Sequence, residues 1–164
     1  MIYFTTFIFT LLLAHIACAV PACGDAASPQ ELYHTTFDED PLVYKVTWDA
    51  TYDNSNGDTD SVACSNGPYG LAGSYPHFKN FPGFPYIGGA FDIKWGSPNC
   101  GKCWKLTETN THRSIYITAI DAVAPGDGFN VGKHAFIALN GGTVGSGTLE
   151  AEAIPVPIFL CGLK

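Results

Sequence analysis

Apolar and polar positions alternate in several short stretches of this chain, and the alternation predicts β-strands. Runs rich in β-branched and aromatic residues, or with alternating apolar and acidic positions, occur at 42–48, 103–107, 114–121 and 148–156. A period of two places every second side chain on the buried face of a sheet. The polar residues 108–113, between the second and third runs, predict a hairpin turn.

A short helix and a long loop complete the pattern. Residues 128–142, GFNVGKHAFIALNGG, combine an apolar face with a glycine stop, and Asn130 is the predicted N-cap of this helix. Residues 61–99 are full of Gly, Pro and aromatic side chains. A loop of this length is uncommon unless it is functional or covalently held. Together these features predict a mainly β domain, a small closed barrel with one or two short helices.

The N-terminal end has the pattern of a secretory signal peptide. Residues 7–14 form an apolar run, and Ala17 and Ala19 have the spacing that a signal peptidase requires. A transmembrane anchor is the alternative, but the strongly apolar part is shorter than the roughly 20 residues that a membrane span needs. We therefore expect residues 1–19 to be cleaved and the protein to be extracellular, with the cell wall as one location.

Sequence periodicity and charge divide the rest of the chain into an extension and a domain. Residues 20–41 lack periodicity and predict a flexible extension, followed by a barrel domain at 42–164. The net charge is −7, and nine of the fifteen acidic residues lie between Asp25 and Asp60. Basic patches are absent, which argues against nucleic acid as a partner and favours a neutral one. No cofactor or metal is expected, because the histidines outside the signal are scattered singly.

Secretion makes disulfides the default state of the cysteines. The motif CGKC, with Cys100 and Cys103, could be a redox dithiol, half of a zinc site, or two halves of different disulfides. No βαβ pattern surrounds it and no second close pair of ligands accompanies it, which favours two long-range bridges. Cys64 and Cys161 are the available partners, in an order that the residues alone leave open. Cys23 is then unpaired and could link two copies of the chain.

Four motifs carry a family resemblance. SVACSNGPYGL, FPGFPYIGG, SPNCGKCWKLT and GFNV occur, between Tyr44 and Cys161, in the order and approximate spacing of the cerato-platanin family. The chain resembles these small, secreted, cysteine-bridged fungal proteins. The resemblance implies a double-psi β-barrel, as in expansins and certain endoglucanases, with disulfides Cys64–Cys100 and Cys103–Cys161. It also implies binding of chitin fragments and N-acetylglucosamine oligomers, loosening of cellulosic material without hydrolysis, and elicitation of plant defence.

Five residues are candidates for contact with a glycan. The resemblance places Asp121, which follows the apolar run SIYITAI, where expansin-like barrels carry a functional aspartate; a loop-capping carboxylate is the alternative. Asn130 and Leu106 match further groove positions, although a helix N-cap and a core leucine are their ordinary roles. Tyr52 and Tyr75 could stack on sugar faces, because aromatic rings present flat apolar area with a polar tip.

Hydrolysis of a glycosidic bond needs two carboxylates about 5–9.5 Å apart. Only Asp121 can be placed from the sequence, and Asp49 or Asp53 would be the first candidates for its partner. The expected function is therefore non-catalytic binding of cell-wall polysaccharide, with chitin or N-acetylglucosamine oligomers, and cellulose, as ligands. A glycoside hydrolase on the same barrel is one alternative. An elicitor that recognises a host receptor, or that assembles with its own copies, is the other.

Overall fold

The computed structural model describes residues 42–164, which form a closed barrel of six strands. The strands are β1 (Leu42–Asp49), β2 (Ile87–Ala90), β3 (Cys103–Glu108), β4 (Ser114–Ala122), β5 (Phe129–Gly132) and β6 (Leu149–Val156). Around the barrel their order is β1-β5-β2-β4-β3-β6. The predicted signal at 1–19 and extension at 20–41, with Cys23, lie outside the described residues. The expectation of a mainly β, closed barrel is confirmed.

Two of the strand pairs are parallel. β1 pairs with β5, and β2 with β4, in parallel, whereas the other pairs around the barrel are antiparallel. A hairpin cannot join parallel neighbours or strands that are not neighbours, such as β1 and β2, so longer connections must run over the surface. The longest, residues 50–86 between β1 and β2, contains three 3-10 turns at Ala50–Asp53, Thr59–Ser61 and Phe78–Asn80. This topology agrees with the double-psi barrel that the resemblance implies.

The strand β2 lies inside residues 61–99, so the prediction of an uninterrupted loop there is wrong. All four residues of β2 are buried. A Cβ atom on Gly88 would lie 2.4 Å from the carbonyl oxygen of Asn130, closer than real Cβ atoms approach. Glycine is depleted in strands because it has no side chain to pack. Here the missing side chain is what lets β2 fit beside β5.

The helix α1 spans Lys133–Leu139, where the apolar face predicts a helix, but it begins later than expected. Its N-cap is Gly132, so the assignment of Asn130 as the cap is wrong. Phe129 and Val131 are fully buried in the barrel, which keeps β5 extended up to the helix. Asn130, between them, therefore lies on the outer face of β5. No helix in the described part of the chain is long and apolar enough to cross a membrane.

Apolar clusters pack on the two sides of the barrel wall. The inner cluster fills the barrel and includes Val46, Leu106, Ile117, Phe129, Val131 and Phe136. The outer cluster consists of Tyr52, Val62, Phe78, Phe81, Ile87 and Ile120. Because most of the outer cluster comes from the connection 50–86, this connection is packed against β2 and β4 rather than left in solvent.

Two disulfides hold the connection and the C-terminal turn to the barrel. Cys64 is bonded to Cys100, and Cys103 to Cys161, as the resemblance implies. Each sulfur of the CGKC motif thus belongs to a different bridge, which excludes the dithiol and the zinc site. The bonded residues are 36 and 58 positions apart. Loops of this size correspond to about 4 kcal/mol of stabilisation per bridge in the chain-entropy model.

A buried carboxylate closes the hairpin between β3 and β4. Glu108 accepts hydrogen bonds from the backbone and side-chain amides of Asn110 and from the backbone amide of Thr111. Hydrogen bonding from the Thr111 side chain, and then from these amides, lowers the pKa of Glu108 to about 2, against the opposing effect of burial. The polar run 108–113 therefore forms the predicted hairpin turn, and a charged acceptor organises it.

The depressed pKa of Glu108 predicts an acid-sensitive contribution to stability. An unfolded glutamate titrates near pH 4.5, so the ionised carboxylate stabilises the fold above that pH, and the stabilisation is lost as the pH falls towards 2. We expect Glu108→Gln to lower the melting temperature at pH 7 and to flatten its fall between pH 4.5 and 2. Thermal melts across this range measure both effects. Glu152→Gln, at an exposed position of β6, is the control, and coincident profiles for the two variants would contradict the assignment.

Candidate functional site

A β-bulge near the end of β4 turns Asp121 to the outside of the barrel. Consecutive residues of β2 pair with Ala119 and Asp121, so Ile120 is the extra residue. Without the bulge, strand alternation would carry Asp121 to the inner face, where Ala119 is fully buried. The bulge instead brings the Asp121 carboxylate into hydrogen-bond contact with Tyr52, in the outer layer.

The Asp121 carboxylate accepts hydrogen bonds from three donors. Oδ1 accepts from the backbone amides of Ala63, at 2.9 Å, and Ala122, at 2.8 Å. Oδ2 accepts from the hydroxyl of Tyr52 at 3.0 Å. The carboxylate therefore ties β4 to two separate parts of the connection 50–86, and the loop-capping role is correct. An ionised carboxylate has about four acceptor positions, so one remains for a ligand.

Tyr52 is almost completely buried. Its side chain is 6% exposed, and its ring packs against Phe78 with ring centroids 6.2 Å apart. Burial first, and then the charge and hydrogen bond of Asp121 and the charge of Asp49, raise the pKa of the hydroxyl far above its ordinary value. Tyr52 is therefore a permanent donor to Asp121. The expectation that its ring stacks on a sugar is wrong, because the ring has almost no exposed surface.

Leu106 and Tyr75 occupy different environments. Leu106 has no exposed surface and belongs to the inner cluster, so the expected groove contact is wrong: its side chain points into the barrel. Tyr75 is half-buried and stacks on Phe81 with ring centroids 4.7 Å apart. It lines a surface cavity of about 490 Å³ near Leu163. Contact between Tyr75 and a glycan stays a prediction.

Asn130 lies on the same row of the sheet as Asp121. Both residues pair with Gly89 of β2, Asp121 from β4 and Asn130 from β5. Two strand spacings put their backbones roughly 10 Å apart. A Cβ atom on Gly89 would lie 2.8 Å from the carbonyl oxygen of Ala122 and 2.9 Å from the Val123 side chain. Ala122 and Val123 therefore cover the outer side of Gly89, between Asp121 and Asn130. The two polar side chains border one outer face.

The other candidate carboxylates have structural partners of their own. Asp49 caps the first 3-10 turn by accepting from the amide of Thr51 at 2.8 Å. Asp53 accepts from the amide of His134 in α1 at 3.3 Å, and the same oxygen lies 3.0 Å from the histidine Nδ1. Neither is hydrogen-bonded to Asp121. Residues 42–164 contain no cluster of three metal-ligating side chains.

The Cerato-platanin family model matches residues 44–163, which is nearly all of the described chain. This protein belongs to the Cerato-platanin family. The family assignment that the four sequence motifs predict is therefore confirmed.

Curated members of the Cerato-platanin family match at substantial identity. The chain is 49% identical over 115 residues to Allergen Asp f 15 of Aspergillus fumigatus, covering 68% of this chain and 72% of the relative. It is 40% identical over 123 residues to Cerato-platanin of Ceratocystis fimbriata f. sp. platani, covering 73% of this chain and 87% of the relative.

Solved cerato-platanin structures share the barrel. The crystal structure of cerato-platanin 2 from M. perniciosa superposes with a TM-score of 0.69 at 39% identity, over 74% of this chain and 100% of that one. The solution structure of the fungal elicitor Cerato-Platanin gives a TM-score of 0.65 at 39% identity, over 71% of this chain and 95% of that one. The closed barrel of residues 42–164 is thus the cerato-platanin fold.

Ala63 is the part of the site that sequence reasoning missed. Its amide reaches Asp121 across 58 positions of the chain, and a backbone N–H has no side-chain signature. The neighbouring Cys64 is the one available signal, because a disulfide at that position fixes the segment. The contact between Asp53 and His134 was missed for a similar reason, since a singly placed histidine gives no indication of its partner.

The hydrogen bond from Tyr52 to Asp121 predicts a measurable loss of stability when it is removed. We expect Tyr52→Phe to lower the free energy of unfolding by about 1.5–3 kcal/mol, because the acceptor is charged and the donor side chain is buried. Urea denaturation measures the difference. Tyr69→Phe, which removes a hydroxyl from a side chain that is 51% exposed, should lie within error of the parent. Equal urea midpoints for the parent and both variants would show that the hydrogen bond contributes nothing to stability.

Proposed function

We propose that this member of the Cerato-platanin family binds cell-wall polysaccharide without hydrolysing it. The ligands are chitin or N-acetylglucosamine oligomers, with cellulose as a related polymer whose packing the binding loosens. The observation that carries the proposal is the state of Asp121: a partly exposed carboxylate fixed by three donors, with one acceptor position left. Such a group is pre-organised to accept a hydrogen bond from a sugar hydroxyl or amide.

The surroundings of Asp121 suit a neutral, hydroxyl-rich ligand. The side-chain oxygen of Asn130, on the same outer face, is buried and has no hydrogen-bond partner within residues 42–164. Buried polar groups are normally satisfied, so a donor from a ligand or a bound water is expected there. Acidic residues outnumber basic ones, 15 to 8 over the whole chain, so no excess of positive charge would attract an anionic polymer.

The positions of the carboxylates favour binding over catalysis. A glycosidase needs a proton donor on one side of the bond and a nucleophile or base on the other. The Asp121 carboxylate already accepts three hydrogen bonds, which hold it as a cap of the connection 50–86. Asp49 caps a turn, and Asp53 is engaged by His134. None of these three carboxylates is free to act as the second catalytic group beside another.

We infer that the protein acts outside the cell. Two disulfides within one small domain are typical of proteins from oxidising compartments. The apolar run at residues 7–14 supports the same inference, because it has the length of the apolar region of a signal peptide. The cell wall, where the proposed ligands occur, is the expected site of action.

Titration of N-acetylchitohexaose by calorimetry tests the binding site. We expect the parent to bind and Asp121→Asn to bind about three- to tenfold more weakly, because the amide loses a charged acceptor. Asparagine can keep an oxygen for the amides of Ala63 and Ala122 and present its NH₂ group to Tyr52, so the fold should persist. Asp60→Asn removes the same charge from an exposed turn and is the control.

Release of reducing sugar from chitin and cellulose separates binding from hydrolysis. No release by the parent, together with weaker binding by Asp121→Asn, is the expected result. Release by the parent that disappears in Asp121→Asn would establish the hydrolase instead. A parent that binds no oligosaccharide, or an Asp121→Asn variant that binds as tightly as Asp60→Asn, would refute the proposed site.

Recognition by a host is a second candidate function, which the names of the relatives favour. One matched structure is that of a protein described as a fungal elicitor, and one matched relative is called an allergen. We propose that the present protein also elicits a defence response in plant tissue. Infiltration of leaves with the folded protein should cause local necrosis or an oxidative burst, and the reduced, unfolded protein should not. Equal responses to both forms, or to neither, would contradict this function.

A further inference from the structure

The mouth of the barrel contains a cavity that Asp121 does not line. It has a volume of about 270 Å³ and lies where β1 and β3 begin and where β2 and β6 end. Leu42 at the start of β1 and Ile154 on β6 are part of its wall. The mouths of β-barrels are among the common places for small-molecule sites. This cavity combines aromatic, aliphatic and charged side chains in the way that such sites do.

Aromatic rings form one wall of the cavity. The rings of Tyr44 and Phe91 stack with centroids 4.5 Å apart and planes inclined by 16°. Trp104 lies 5.5 Å from Phe91, and Phe129 contacts both rings of the stack edge-on. Phe91 is 42% exposed, so part of the wall is open to solvent. A flat ring that enters the mouth could extend the stack in the offset geometry that aromatic pairs prefer.

An ion pair and two unsatisfied polar atoms lie beside these rings. Nζ of Lys102 is 3.2 Å from Oδ2 of Asp92 and 4.4 Å from the centroid of the Trp104 ring. Oδ1 of Asp92 and Nε1 of Trp104 are buried, and neither has a hydrogen-bond partner among the described residues. All three residues line the cavity. An unmet acceptor and an unmet donor in one cavity wall point to a bound group that can supply both partners.

We propose that the mouth of the barrel binds one small hydroxylated aromatic molecule, of the phenol class. Its ring stacks on Phe91 and contacts Leu42. Its hydroxyl group is at once a donor and an acceptor. The O–H donates to the carboxylate of Asp92, and the oxygen accepts from the indole N–H of Trp104 or from the ammonium group of Lys102. Binding is reversible, and no bond is formed or broken.

Size and charge disfavour other classes of ligand at this position. Sites for drug-sized molecules have roughly 300–1,000 Å³, so the present cavity admits a single ring and not a polysaccharide chain. Lys102 and Asp92 neutralise each other, which gives a strongly charged ligand no advantage. The inference does not depend on polysaccharide binding at Asp121, because the two sites use different residues.

Proton–nitrogen NMR of the protein during titration with 4-methylphenol tests the proposal. We expect a saturable shift of the Trp104 indole signal, while the indole signals of Trp48 and Trp95 stay in place. 4-Methylanisole keeps the ring but cannot donate, and it should bind at least about threefold more weakly. Phe91→Ala should weaken binding roughly two- to tenfold. Trp95→Ala removes a ring that is 66% exposed, is the matched control, and should bind as the parent does.

Several results would overturn the proposal. Shifts that do not saturate, or that are equal at all three indoles, would mean non-specific adsorption. Equal affinity for 4-methylphenol and 4-methylanisole would exclude the hydrogen bond to Asp92, and N-acetylglucosamine bound at Trp104 would exclude the phenol class. If Phe91→Ala does not fold, Leu42→Trp at the exposed rim replaces it. That variant fills the mouth and should abolish the saturable shift, and binding that survives it would refute the site.

Discussion

The close approach of β2 to β5 is the contact on which the barrel depends. At Gly88 no side chain stands between the two backbones, and a Cβ atom there would meet the carbonyl oxygen of Asn130 at 2.4 Å. With β2 in place, the sheet closes and has no free edge along which other strands could pair. Closure also sends the connection 50–86 to the outside. The outer apolar cluster, the Cys64–Cys100 bridge and the hydrogen bonds of Asp121 all fix that connection.

Asp121 shows how a structural cap and a binding group can be one residue. The bulge at Ile120 brings its carboxylate to the outer layer, where Tyr52 and the amide of Ala63 hold it. Three donors stop the side chain from changing rotamer, so little conformational entropy remains to be lost when a ligand binds. The fourth acceptor position then lies in a fixed direction. The cap therefore makes the proposed glycan contact more specific and does not compete with it.

The sequence pattern predicted the elements whose signals are local. The strands β1, β3, β4 and β6 and the hairpin at 108–113 occur where alternation and polar runs place them. The strand β2 was missed because its glycines are explained only by a neighbour that lies about 40 positions away in the chain. Alternation also groups the residues of a strand by face without saying which face is inside, which is why Leu106 could be taken for a surface group. Tyr52 lies in a 3-10 turn, where no alternation indicates burial. At Asp121 the bulge inverts the alternation, and no local signal marks it.

The two disulfides meet in one short segment, and this has a mechanical consequence. Cys100 and Cys103 are separated by two residues, so a continuous covalent path runs from Cys64 through CGKC to Cys161. If the two ends of the domain are pulled apart, the load passes along this path, and the barrel strands β2 to β6 bear none of it. The domain would then lengthen by little more than β1 and its adjoining turns. Reduction of either bridge would release a long additional stretch of chain, so the extensibility of the protein under force would depend on the thiol redox state of its surroundings.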